Sequence, residues 1–166
     1  MSIRVLIVED ESLIRWSLRQ KFEERGYHVV EAETGQAALD VFQDGLFDLV
    51  LLDYKLPDIT GLDVLHGIRQ VDRDAVAIMM TAYSTIETAV EAIKLGAFNY
   101  IAKPFQMEEM LLTIDKALET TQLRREVREL RRHLEEQFGI HAILGQDPSM
   151  LRLFESQSGR RRCSST

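Results

Sequence analysis

Five short runs of Val, Ile, Leu, Met, Ala and aromatic residues recur along this chain, each parted from the next by a longer amphipathic stretch. They are IRVLIV (3–8), HVVEA (28–32), FDLVLL (47–52), AVAIMM (75–80) and FNYIA (98–102). Apolar runs this short, rich in branched residues and with little polar alternation, read as strands buried on both faces of a parallel sheet. The stretches between them read as helices. Leu13, Ile14, Leu18 and Phe22 recur at helical spacing until Gly26 ends the helix. Thr34 is placed to cap TGQAALDVFQDG, the turn KLPDITG leads into a helix beginning near Leu62, and Ser84 and Gly96 bracket the helix in STIETAVEAIKLG. A last helix runs from Met107 to about Gln137. Strand and helix thus repeat five times, and right-handed crossovers make this a doubly wound α/β sheet of five parallel strands.

Parallel strands bring their C-terminal ends to one rim, the rim where open α/β sheets bind ligands. Here the rim is chemically loaded: the first run ends at Glu9-Asp10, the third at Asp53, the fourth at Thr81 and the fifth at Lys103-Pro104. Singly, each has an ordinary reading as a cap, a turn former or a surface lysine. Together they are complementary. Clustered carboxylates repel, and without a cation at least one should protonate. Mg2+ removes the conflict, since it takes oxygen ligands and keeps a place for a phosphoryl oxygen. Asp53 could then act as a carboxylate nucleophile and form an acyl phosphate. Thr81 would donate a hydrogen bond to one phosphoryl oxygen, and Lys103 would pair with another.

The charge of −7 disfavours nonspecific nucleic-acid binding by the whole chain. Its distribution changes near residue 118: positions 1–118 carry 11 basic and 20 acidic groups (−9), positions 119–166 carry 9 and 7 (+2). No apolar stretch is long enough to span a membrane, and the N-terminus lacks a signal-peptide pattern. A single cysteine, Cys163, rules out a disulfide framework and points to a reducing cytoplasm. In 119–138, Leu123, Val127, Leu130 and Leu134 alternate spacings of four and three, as in a dimerising coiled-coil seam. The competing reading is a solvated helix whose apolar stripe packs on its own domain. The expected organisation is one domain over 1–120, a linker helix over 121–138 continuous with the last helix of that domain, the start of a truncated unit over 139–155, and a disordered tail over 156–166.

Across roughly residues 1–120 the chain resembles the receiver domains of two-component response regulators. The resemblance rests on Glu9-Asp10, Asp53 in LLDYKLPDITG, Thr81-Ala82 in MMTAYS and Lys103-Pro104. It implies the flavodoxin-like (CheY-like) strand order 2-1-3-4-5, with Asp53 as phosphoacceptor for a sensor histidine kinase that docks on the first helix. It also implies Mg2+ held by Asp10, Asp53 and the backbone carbonyl of Lys55, with Glu9 assisting through water. Thr81 and Tyr100 match the family's switch pair, and Lys103-Pro104 its cis peptide. The wording TAYSTIETAVEAIKLGAFNYIAKPF is similar to the nitrogen-regulatory, sigma-54-dependent activators, in which a linker helix and an AAA+ ATPase follow the receiver. ILGQDPSM resembles the opening of that ATPase, but no G-x-x-x-x-G-K phosphate loop follows. The expected molecule is therefore a phosphorylation-dependent transcription-regulatory switch, not a turnover enzyme, with neither ATPase nor direct DNA binding in this stretch. It would dimerise through the linker helix and the face made by the fourth helix, fifth strand and fifth helix.

Other classes fit less well. A phosphatase of the haloacid-dehalogenase type needs a second Asp two residues after the nucleophile, where this chain has Lys55. A flavodoxin-like cofactor binder wants a Ser/Thr/Gly-rich loop after the first strand, where this chain has EDESLIRW. The remaining alternative is a pseudo-receiver, never phosphorylated, that acts only as a dimerisation module.

Overall fold

A computed structural model describes residues 2–82 and 85–139. The elements alternate as expected: β1 (Arg4–Val8), α1 (Ser12–Glu24), β2 (His28–Ala32), α2 (Gly35–Asp44), β3 (Leu49–Asp53), α3 (Gly61–Val71), β4 (Ala77–Thr81), α4 (Ile86–Lys94), β5 (Asn99–Ala102) and α5 (Met107–Phe138). All strand pairs are parallel, and the order is β2-β1-β3-β4-β5.

The near-continuous apolarity of the strands follows from coverage on both sides. Successive residues of a strand point to opposite faces. Leu6, Val8, Val50, Leu52, Ala77 and Met79 accordingly join one buried cluster with Phe42 of α2 and Val64, Leu65 and Ile68 of α3. Val5, Ile7, Leu49, Leu51, Ile78 and Met80 join the other, with Leu18 and Phe22 of α1 and Met110 and Ile114 of α5. Either face exposed would forfeit roughly 25 cal/mol for each Å² of apolar surface returned to water.

Local signals place most boundaries. Thr34 caps α2 by accepting from Ala37 N–H. After α1, Gly26 turns left-handed (φ +83°), Gly26 N–H bonds Glu23 C=O, and Tyr27 N–H bonds Phe22 C=O; together these bonds close the helix end. One expectation is corrected. The cap of α4 is Thr85, whose hydroxyl accepts from Thr88 N–H; Ser84 lies outside the described residues. Helix α3 starts at Gly61, near Leu62 as expected, where Thr60 and Asp63 form a reciprocal capping box. On α1, Leu13 is 73% exposed, so the buried stripe is Leu18 and Phe22 with Ile14 at its margin.

The chain divides into two compact units, Met1–Gln122 and Leu123–Thr166. In the second, the described residues are the final turns of α5, where Leu123, Val127, Leu130 and Leu134 are all exposed. The segments expected to start a further unit (139–155, save Gly139) and to form a tail (156–166), with Cys163, lie outside the described residues. No helix among the described residues is long and apolar enough to cross a membrane.

Gly61 is the tightest test of the packing beside β3. A Cβ there would collide with the Asp53 carbonyl oxygen and press on the Tyr54 Cα, both backbone atoms with no freedom to yield. Gly61→Ala should cost about 1–3 kcal/mol in urea unfolding. An unchanged midpoint and slope would show that this turn is looser than described.

Candidate functional site

Four strand ends deliver the site, and each is held by a backbone bond that continues the sheet. Glu9 N–H bonds Ala32 C=O (3.1 Å), Tyr54 N–H bonds Met80 C=O (2.8 Å), and Lys103 N–H bonds Thr81 C=O (2.7 Å). Glu9 and Asp10 follow β1, Asp53 closes β3, Thr81 closes β4 and Lys103 follows β5. The Lys103-Pro104 peptide is cis.

Lys103 organises the charges. Its Nζ lies 2.6 Å from Glu9 Oε2 and 3.2 Å from Asp53 Oδ2, with all three side chains less than a tenth exposed. Glu9 Oε1 also accepts from Glu11 N–H at 3.1 Å. Asp10 is exposed beside them, and carboxylate oxygens of Glu9, Asp10 and Asp53 lie within 4.8 Å of one another. Burial pushes Glu9 from its ordinary 4.5 up to about 7; the Lys103 hydrogen bond pulls it back part of the way, and the Asp53 charge adds to the rise. Asp53 is also raised, by burial first, against the pull of Lys103. Burial alone would lower Lys103, but Glu9 and Asp53 outweigh it and hold the ammonium protonated.

With all three carboxylates ionised, one ammonium would leave two negative charges unbalanced, which adds to the burial that raises Glu9 and Asp53. The chemistry of this donor set, oxygens only with an exposed carboxylate facing an open cleft, fits a hard divalent cation such as Mg2+. The cleft has a volume of about 370 Å³, and Asp10, Asp53, Lys55, Pro57, Ala82 and Lys103 are among its walls.

Lys55 sits in the loop 54–60 that forms one side of this cleft. The loop is closed by the Lys55–Thr60 bridge and by Gly61 N–H donating to Tyr54 C=O (2.7 Å). Thr81 is buried. Tyr100 is half-buried on the neighbouring strand, where Met79 pairs with Tyr100 and Thr81 with Ala102, so Thr81 and Tyr100 share the sheet face covered by the α2–α3 cluster. The Tyr100 hydroxyl lies 3.5 Å from Thr88 Oγ1 of α4. The structure thus gathers Glu9, Asp10, Asp53, Lys55 and Lys103 around one cleft, with Thr81 closing the adjacent strand and Tyr100 on the same face. Leu123, Val127, Leu130 and Leu134 belong to the other unit.

Two residues near the site carried no sequence signal. Arg15 of α1 donates from Nη1 to the Glu9 carbonyl at 2.8 Å. Asp58 accepts from Gly35 N–H and Gln36 N–H, both at 2.8 Å, and these two bonds hold its carboxyl below the usual range. The capping box was legible, since Thr60-x-x-Asp63 precedes an apolar run.

The doubly wound parallel sheet with acidic, hydroxyl and ammonium groups gathered at its strand tips places the chain in the receiver class of α/β domains. The chain belongs to the response regulator receiver domain family, whose model matches residues 5–115. It is 36% identical over 148 residues to the regulatory protein AtoC of Escherichia coli, a match covering 89% of this chain and 32% of AtoC, so the chain spans about a third of that relative. Response regulator TrrA of Thermotoga maritima, solved in complex with Mg2+-BeF, is 37% identical with a TM-score of 0.63, over 69% of this chain and 98% of that one. The beryllofluoride-activated NtrC4 receiver domain dimer is 39% identical with a TM-score of 0.68, over 71% and 98%. The likeness to nitrogen-regulatory activators read in the sequence is borne out by relatives of this kind.

The raised Glu9 has a defined pH signature. Its folded pKa lies above its unfolded value, so the folded state holds an extra proton between about pH 4.5 and 7, and stability falls as pH rises through that window. In metal-free buffer, Glu9→Gln should gain on the wild type by several degrees of Tm between pH 5 and pH 8, read by scanning calorimetry. A Tm difference independent of pH would contradict the shifted carboxyl.

Proposed function

We propose that this chain is a phosphorylation-dependent signalling switch in which Asp53 accepts a phosphoryl group from a sensor histidine kinase. The observation that carries the reading is the Glu9–Lys103–Asp53 cluster with Asp10 beside it at the open mouth of one cleft. Asp10, Asp53 and the Lys55 carbonyl would hold Mg2+, with Glu9 reaching it through water. The metal would neutralise charge so that an anionic phosphodonor can approach an anionic carboxylate.

In the transfer, an Asp53 carboxylate oxygen forms the new O–P bond as the donor's P–N bond to a kinase imidazole breaks; the leaving imidazole keeps the electron pair and takes up a proton. Asp53 is suited to this, since it is nearly buried and fixed as the last residue of β3, with one oxygen already on Lys103. Lys103 would then pair with a phosphoryl oxygen and Thr81 would donate to another. The donor's protein surface would be read beside the cleft, where an adjoining groove of about 500 Å³ is lined by Leu13, Ile14, Ser17, Pro104, Phe105 and Met107.

The output would leave by the opposite side. Drawing Thr81 toward the phosphoryl group opens space on its sheet face, and Tyr100 turns inward from beside Thr88. The face formed by α4, β5 and α5 already exposes Ile86, Val90, Ile93 and Leu112, more apolar surface than a solvated face needs. A change there, with the seam Leu123, Val127, Leu130 and Leu134, shifts the balance between monomer and homodimer. Phosphorylation moves that balance only by its different affinity for the two states. The longer protein to which such a receiver belongs would be a cytoplasmic sigma-54-dependent activator, with ATPase and DNA binding carried outside the residues considered. The receiver itself would be a self-modifying switch with weak self-dephosphorylation, not a turnover enzyme.

Incubation with acetyl phosphate and Mg2+, read by intact mass, should give one phosphoryl adduct that is absent from Asp53→Asn and absent without Mg2+. Light scattering on the same samples should show a different oligomer distribution with and without the adduct. No adduct under any condition would leave a pseudo-receiver that signals by dimerisation alone.

A further inference from the structure

Two loops supply walls of the acidic cleft. The β1–α1 loop brings Glu9 and Asp10, and the β3–α3 loop brings Lys55. Both are tied to a third segment, 31–36, which runs from the end of β2 into the first turn of α2 and contributes nothing to the cleft.

On one side the tie is Arg15. Its Nη1 donates to the Glu9 carbonyl at 2.8 Å and lies 3.5 Å from the Asp10 carbonyl. The same guanidinium reaches Glu33 Oε1 through Nη2 at 3.0 Å, and its Nε lies 3.7 Å from Glu31 Oε2. Arg15 is 12% exposed although it belongs to a surface helix, which is the mark of a side chain used as a strut. On the other side the tie is Asp58, which takes the Gly35 and Gln36 N–H groups at 2.8 Å each, one on each carboxylate oxygen. The contact is reinforced by shape, for a Cβ on Gly35 would run into the Ile59 side chain.

We propose that Arg15 and Asp58 are positioning residues that set the spacing between the two ligand-bearing loops by bracing both against the 31–36 segment. This inference rests on the proposed function, since it concerns the same Mg2+ site. The physical argument is repulsion. Carboxylate oxygens of Glu9 and Asp10 on the β1–α1 loop lie within 4.8 Å of those of Asp53 at the tip of β3, from which the β3–α3 loop starts, and without a cation they push that loop away from the end of β3. A planar guanidinium clamped on the peptide carbonyls of the acidic pair resists that spreading without occupying the carboxylates, which a lysine could not do in the same fork geometry. The site then meets its cation already assembled, and the reorganisation cost that would weaken binding is avoided.

The test is a Mg2+ titration of the 122-residue unit within the full chain, followed by amide NMR, which reads affinity and fold integrity in the same spectra. Arg15→Gln and Asp58→Asn should each weaken Mg2+ by about tenfold, the lower end of the effect usual for outer-shell partners of a metal site. Arg19→Gln is the control: it loses a charge on the same helix and the same Glu31 partner, but it makes no bond to Glu9 or Asp10, and it should bind as the wild type does. If Arg15→Gln does not fold, Glu33→Ala releases the far end of the same strut and should weaken Mg2+ in the same direction. Variants that lower the metal-free Tm yet keep wild-type Mg2+ affinity would overturn the inference and leave these ties purely structural. A wild-type chain that takes up no Mg2+ would overturn the proposed function itself, and this inference with it.

Discussion

The rest of the site depends on one ion cluster, Lys103 between the buried carboxylates of Glu9 and Asp53. Charges out of water are costly, and such a cluster persists only if geometry and hydrogen bonding compensate for desolvation. Here the compensation is incomplete. Lys103 satisfies two carboxylates, yet Glu9 still sits near pKa 7 and Asp53 is still raised. Among the described residues no buried side-chain nitrogen or oxygen lacks a hydrogen-bond partner, so the tension is one of charge and not of unmade bonds. The cluster is poised to accept a cation at its open side, where Asp10 faces the cleft.

That tension is sustained by the sheet behind it. The inner strands β1, β3 and β4 are buried almost throughout between the two helical layers, while the edge strand β5 is anchored through Ile101, and each of these strands is bonded to a neighbour past its end. The loops beyond the strands are held by their own devices: the capping box at Thr60 and Asp63, the close approach at Gly61, and the ties from Arg15 and Asp58. The rigidity is uneven. The site side of the domain is braced, while the face carrying Ile86, Val90 and Ile93 is left apolar and uncovered, which is where a change of state can act at low cost.

Much of this was legible in the sequence because the signals are local and repeated. Five apolar runs and five helical periods define the α/β sheet, and the residues that end four of those runs name the site. Asp53, Thr81 and Lys103 could be picked out from their strand-end positions alone. What escaped was pairing between segments distant along the chain. Nothing in the first helix marks Arg15 as the partner of the Glu9 carbonyl, since arginine on a helix usually faces water. Asp58 reads as a turn residue beside Pro57, and only the fold shows that it caps α2, 22 and 23 positions earlier. The fourth helix was expected to start at Ser84, but its cap is the next residue, Thr85, because the Thr85 hydroxyl accepts from Thr88 N–H.

The most direct test of the central claim, that an under-compensated carboxylate cluster is completed by a divalent cation, is proton release on Mg2+ binding. Calorimetry in buffers of different ionisation enthalpy would measure it. With Glu9 at about 7, binding at pH 7 should release a substantial fraction of a proton, and binding at pH 9 almost none. Mg2+ binding that releases no proton at pH 7, or a chain that binds no Mg2+ at either pH, would contradict the account.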